Sequence, residues 1–251
     1  MRGGASLTSE CGLASPAHSI IFSPPPRQTH VSTMNARTQP NYLRRLSILI
    51  PACCLSLSVL CPVLGSCAEP EDLTPIFNGK DLAGWQVPDP NPFWRVVDGV
   101  LIGENDSAKK GHVLYTKKPY KDFIFETEAR WSGEIDSGIM LRQPELQLQI
   151  GISRSLKKDM TCSFYTNGKE KYPEAGQAKE LEKFLKPGDW NKIRLQAKGD
   201  TFTAWLNGQK VVEYKDARFP NPYAIGLQIH PGLVMRIEFR NIRLKDLDEH
   251  G

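Results

Sequence analysis

An imidazole, a guanidinium, three amides and two carboxylates stand in this sequence at the every-other-residue spacing of β-strands. Glu126 and Glu128 lie within FIFETEARW, and Arg142 follows Met140 at spacing two. Gln147 and Gln149 alternate with Leu146, Leu148 and Ile150, as Gln228 and His230 do with Leu227 and Ile229. Successive side chains of a strand point to opposite faces, so each run has an apolar edge and a polar one. Amides and a guanidinium are planar donors and acceptors suited to sugar hydroxyls or carboxylates. His230 adds an imidazole, a group that can serve as general acid or base. If the polar edges share a face, they line a groove for an oligosaccharide or another small polar ligand. The same residues also fit a solvated strand face, with Glu126 and Glu128 salt-bridged beside Arg130 and His230 hydrogen-bonded beside the Pro231-Gly232 turn.

Other chemistries fit less well. Ordinary glycoside hydrolysis needs two carboxyl groups flanking the bond, and Gln147 to Ile152 holds no acid. The histidines His112 and His230 are far apart in sequence and no aspartates cluster, a poor match to metal-ligand spacing; no metal or other cofactor is expected. Cys162 has no evident base and reads as a small buried thiol. Trp85, Trp94, Trp131, Trp190 and Trp205 could stack on sugars but more often fill a core. The glycines lie in strand turns rather than before a helix, so no phosphate loop is present.

The elements that would position these residues are short strands. Asp98-Gly99 and Asn207-Gly208 each separate two apolar runs, a strong hairpin signal. Gln143-Pro144-Glu145 marks a turn between Ser137 to Arg142 and Leu146 to Ile150. Further strands are expected at His112 to Thr116, Phe123 to Trp131, Met160 to Tyr165, Trp190 to Ala197, Thr201 to Leu206, Lys210 to Tyr214, Ala224 to His230 and Met235 to Leu244. One short helix is expected near Ala178 to Leu185, within an irregular connection from residue 151 to 189. About a dozen short strands separated by turns predict an all-β fold, an antiparallel β-sandwich or jelly roll.

Three segments divide the chain. Residues 1–33 have no periodicity and read as disordered or as a mis-called upstream start. Residues 34–68 carry Arg44-Arg45 and then an apolar stretch interrupted by Pro51 and Pro62, the pattern of a secretory signal. Two processing routes are open: cleavage after Ala68, or lipidation of Cys67, which would anchor the domain to a membrane. On either route the protein is exported, to a periplasmic, outer-membrane or extracellular location. Residues 69–251 form the single folded domain, long enough for a sizeable core. The formal charge of +4 comes from the leader. Arg2, Arg27, Arg37, Arg44 and Arg45 precede Glu69 with only Glu10 to offset them, so the rest is balanced and a nucleic-acid partner has little support. Cys162 alone lies beyond Cys67, which excludes an intramolecular disulfide in the domain.

Several motifs, taken in order, resemble the 3-keto-disaccharide hydrolase family. They are Phe77-Asn78-Gly79-Lys80-Asp81-Leu82 with Gly84-Trp85, Trp94 with Asp98-Gly99, Tyr120-Lys121-Asp122-Phe123, Ser137-Gly138-Ile139 with Arg142, Gly188-Asp189-Trp190-Asn191, Leu206-Asn207-Gly208, Gly226-Leu227-Gln228-Ile229-His230 and Phe239-Arg240-Asn241-Ile242. Each is weak alone; their order across Leu73 to Leu247 carries the resemblance. It implies a concanavalin A-like jelly roll acting on glycosides whose sugar has been oxidised at C3. Such a ketone acidifies the C2 proton, so a base can remove it and expel the C1 substituent, after which water adds to the enone. His230, Arg142 and Glu128 are the catalytic candidates, with His230 as base and Arg142 near the enolate oxygen. Gln147, Gln149, Gln228, Glu126 and Tyr165 are the substrate-binding candidates. The chain departs from the family where relatives commonly read E-x-Q-I followed by Asp: Gln147 replaces the first acid, and Gly151 stands where the second would be. If that acid is the family's base, the chain either binds sugar without cleaving it, as a lectin-like module would, or uses a different substrate.

Overall fold

The computed structural model describes residues 72–248. The expectations for residues 1–68, including the signal segment and Cys67, lie outside the described residues. Two antiparallel sheets face each other. The first runs in the order β13 (Gln209–Lys215), β12 (Thr201–Leu206), β11 (Asn191–Lys198), β6 (Phe123–Trp131), β15 (Arg236–Asp246), β4 (Val100–Glu104) and β3 (Trp94–Val97), with β1 (Thr74–Pro75) also on β15. The second runs β10 (Phe164–Thr166), β8 (Leu146–Ser153), β7 (Asp136–Arg142), β14 (Tyr223–Ile229), β5 (His112–Tyr120) and β2 (Trp85–Gln86), with β9 (Lys158–Asp159) on β8. Sequence neighbours part between sheets, as β6 and β7 do. This is the jelly-roll sandwich that the strand count predicts.

Local chemistry sets the turns. Asp98 and Gly99 both have positive φ, 49° and 78°, as do Asn207 and Gly208 at 51° and 88°, and each pair closes a two-residue hairpin. That backbone twist matches the twist of the flanking strands, which is why Asn-Gly and Asp-Gly favour it. The irregular connection is less regular than expected. Only Phe164–Thr166 of the Met160 to Tyr165 run is strand, and the helix is a four-residue turn, α1 (Leu181–Phe184), preceded by a 3-10 turn at Glu174–Gly176.

The inward residues of both sheets form one core. Phe125, Leu195, Phe202 and Phe239 from the first sheet meet Ile139, Leu148, Ile150 and Leu227 from the second, all fully buried. Each such side chain contributes about 1.5–3 kcal/mol on leaving water. Cys162 is buried too, and burial pushes its thiol up to about 12, so it is unreactive near neutral pH. Trp190 lies between the guanidinium groups of Arg130 and Arg240, 4.5 and 4.1 Å from its ring, so cations occupy the surface a sugar would need.

His112 belongs to the core edge. Its ring stacks on Phe93 at 5.3 Å, and its Nδ1 accepts a hydrogen bond from Trp94 Nε1 at 3.0 Å. Burial lowers its pKa from the usual 6.5. The folded state therefore prefers neutral imidazole, and the unfolded chain binds more protons once pH falls below about 6.5. Stability is full above that pH and declines from there towards the folded pKa. Thermal unfolding between pH 7 and pH 5 should show a steeper loss of Tm for the native protein than for His112→Gln; parallel curves would remove His112 as the cause.

Candidate active-site cleft

A cleft of about 440 Å³ opens on the outer face of the second sheet. Its floor is made by β8, β7 and β14, and its walls by Tyr165 of β10 and by residues of the 154–172 connection. Five of the expected residues meet there: Gln147, Gln149, Gln228, His230 and Tyr165. Gln147 and Gln149 point outward from β8 as the alternation requires, yet are only 3% and 1% exposed. The walls enclose them, so these amides serve the cleft rather than open solvent. Lys171 and Tyr172 come from the irregular connection between residues 151 and 189, and burial pushes the Tyr172 hydroxyl up to about 12.

The floor is a directed hydrogen-bond chain. Asp136 Oδ1 accepts from Gln149 Nε2 at 2.8 Å, Gln149 Oε1 accepts from Gln147 Nε2 at 3.0 Å, and the same nitrogen donates to Gln228 Oε1 at 3.2 Å and Ser137 O at 3.3 Å. A carboxylate can only accept, so Asp136 fixes the orientation of Gln149 and, through it, of Gln147. The chain leaves Gln147 Oε1 as an acceptor and Gln228 Nε2 as a donor without partners among these contacts.

Asp136 was not foreseen, and its position accounts for the missing acid on β8. Asp136 pairs across the ladder with Gly151. Gly151 has φ +86°, and a Cβ there would sit 2.4 Å from Ile135 O, so an aspartate cannot be placed at 151 without moving backbone. The neighbouring strand supplies a carboxylate instead. Gly138 has a comparable role: its absent Cβ would lie 2.1 Å from Gln147 Nε2, so only glycine leaves the amide room to reach across β7. Gly138→Ala should cost about 1–3 kcal/mol by overpacking, read as a lower urea midpoint. An unchanged midpoint would mean that Gln147 moves aside freely.

His230 is half-buried at the cleft, with Nδ1 2.8 Å from Pro231 O. A carbonyl only accepts, so Nδ1 carries the proton and Nε2 keeps a lone pair. Arg154 Nη1 donates to the same carbonyl at 3.0 Å, and Arg154 N donates to Asp136 Oδ2 at 3.3 Å. A base and a guanidinium thus share one anchor point. Arg154 was also unforeseen, because it lies just beyond β8 where no periodicity marks a side chain's direction.

Three expected site residues lie elsewhere. Arg142 was expected on the polar edge of its strand, but the register shifts between Met140 and Arg142. A bulge places successive side chains on nearly the same side, and Leu141 and Arg142 are both fully buried. The Arg142 guanidinium lies 5.6 Å from the Phe202 ring and pairs with Asp122 at 2.9 Å. Its part is to clamp the β5–β6 turn, where Asp122 also accepts from Gly199 N at 3.1 Å. Glu126 and Glu128 face outward as predicted, but from β6 in the other sheet. Glu126 pairs with Lys192 at 3.0 Å and with Arg243, and Glu128 with Arg240 at 2.6 Å. They are ion-paired on the outer face of the first sheet, Glu126 buried beneath its partners, and do not line the cleft. Among the described residues, no group of three or more His, Cys, Asp or Glu side chains is placed to hold a metal ion.

The fold is shared with solved carbohydrate-active and carbohydrate-binding proteins. A candidate glycosyl hydrolase from Parabacteroides distasonis is 22% identical with a TM-score of 0.54, the match covering 70% of this chain and 100% of that one. A second structure of such a protein from the same organism is 22% identical with a TM-score of 0.52, covering 71% and 95%. The VIP36 exoplasmic/lumenal domain, in a form bound to Ca2+ and Man3GlcNAc, is 10% identical with a TM-score of 0.51, covering 70% and 91%. At these identities the likeness establishes the concanavalin-like fold. No curated protein matches the sequence. Residues 72–245 match the family described as the 3-keto-alpha-glucoside-1,2-lyase-like domain, and the chain belongs to that family.

Proposed function

We propose that this protein is an exported enzyme that cleaves 3-keto-glycosides or 3-keto-disaccharides by elimination and hydration in the cleft of the second sheet. The observation that carries the reading is the pairing of His230 and Arg154 on the Pro231 carbonyl beside the chain from Asp136 to Gln228. His230 Nε2 takes the C2 proton of the oxidised sugar. The C1–C2 double bond forms as the bond from C1 to the leaving oxygen breaks, and that oxygen is protonated as it departs. Water then adds at C1 and a proton returns to C2. Arg154 and Lys171, both at the cleft, provide positive charge for the enolate oxygen, the role first expected of Arg142. Gln228 Nε2 and Gln147 Oε1 bind sugar hydroxyls, with their orientation set by Asp136. Export is part of the reading and rests on the pattern of residues 34–68.

A second reading, a carbohydrate-binding module without catalysis, is favoured by Gln147, an amide where relatives commonly carry an acid. The two readings separate on one incubation. Purified protein mixed with a 3-keto-glucoside should release the free sugar; saturable binding without release would support the module and sink the enzyme.

A further inference from the structure

The face that holds the cleft continues beyond it across β14 and β5, and its character changes there. Gly226 pairs with Met140 on one side and with Tyr115 on the other, while Gln228, two residues on, pairs with Gly138 and Val113. Two residues along a strand and one strand across amount to roughly 8 Å, a step comparable to one pyranose unit. The side chains at this second position are the rings of Tyr115 and Tyr223, 5.4 Å apart and edge to face, with Val113 beside Tyr115 over Gly226. A Cβ on Gly226 would lie 2.6 Å from both Tyr115 Cε1 and Val113 Cγ1, so the tyrosine ring occupies the space a side chain would take. Both tyrosines remain half-exposed. Gln86, across the ladder from Tyr115, turns its amide to the Thr116 carbonyl at 2.8 Å. The cleft amides gather on one side of Gly226 and the rings on the other. Glu145 belongs to the cleft lining.

We infer that Tyr115, Tyr223 and Val113 form a leaving-group subsite for a planar, apolar aglycone, so that aryl 3-keto-glucosides are preferred over alkyl ones. This rests on the proposed glycone cleft. The amide on the ring side, Gln86, is turned to the Thr116 carbonyl, which leaves the rings to a planar apolar group rather than to a hydroxyl-rich second sugar. Aromatic contacts contribute about 0.5–1.5 kcal/mol beyond area burial, so removing a ring should lower the aryl-to-methyl ratio of kcat/KM by up to about tenfold.

Two measurements on the purified protein test this separately from the cleavage reading. In the first, kcat/KM is compared for 4-nitrophenyl and methyl 3-keto-glucosides in the native protein and in Tyr115→Ala and Tyr223→Ala. The expected result is an aryl-to-methyl ratio, dominated by the better leaving group, that falls several-fold in both variants, with the methyl substrate little changed. An aryl-to-methyl ratio that neither substitution changes overturns the subsite. In the second, 4-nitrophenol alone is titrated while the tyrosine ring resonances are followed by NMR. Shifts that disappear in Tyr115→Ala support the subsite even if neither glycoside is cleaved, an outcome that would defeat the enzyme reading alone. No perturbation by 4-nitrophenol overturns the subsite, whatever happens to the methyl glycoside.

Discussion

His230→Gln should lower kcat on a 3-keto-glucoside by about 10²–10⁴-fold, the usual contribution of a positioned general base, with KM changed far less. The expectation follows from the ring's anchoring. Pro231 O accepts a hydrogen bond from Nδ1–H, so the opposite nitrogen is the one with a free lone pair at the cleft. Glutamine can still donate to that carbonyl, and it retains an acceptor, but an amide oxygen does not take up a proton near neutrality. Binding should therefore persist while proton abstraction fails. A variant with kcat near the native value would place the base elsewhere, and Asp136 would be the next candidate because its carboxylate lies in the same cleft.

Arg142 should show the opposite pattern. Arg142→Ala is expected to cost about 3 kcal/mol of stability, near the low end for breaking a buried ion pair because Asp122 retains some exposure. A urea titration should show a lower midpoint at unchanged slope. The loss reflects Asp122 left without its cation and a void beside Phe202. Neutralising both partners, as Arg142→Met with Asp122→Asn, should recover most of it, since Nε of Arg142 already lacks a partner in the core. In the folded variants kcat should stay within a few-fold of native. A hundredfold loss of kcat with the fold intact would return Arg142 to the catalytic machinery and put the cleft assignment in doubt.

Those two residues also mark what the sequence could convey. The Asp98-Gly99 and Asn207-Gly208 hairpins were legible because the dipeptides specify positive φ locally. The outward direction of Gln147, Gln149 and Gln228 was legible because period two holds along β8 and most of β14. Arg142 was misread because a bulge at Leu141 interrupts that period, and nothing in SGIMLR announces it. Glu126 and Glu128 show a different limit. Alternation tells which side of a strand a residue occupies but not which sheet the strand joins, and β6 and β7 part company although they are consecutive. Asp136 and Arg154 were missed since one opens a strand at its border and the other follows a strand's end. Pairing across the ladder, with glycine at 151, joins Asp136 to the amide chain.

The claim that the cleft removes the C2 proton is tested most directly by running the reaction in D2O and examining the released 3-keto sugar by mass spectrometry and NMR. Elimination and hydration predict one deuterium at C2 in the product, with incorporation lost together with turnover in His230→Gln. Released sugar that retains its original C2 hydrogen would contradict the account.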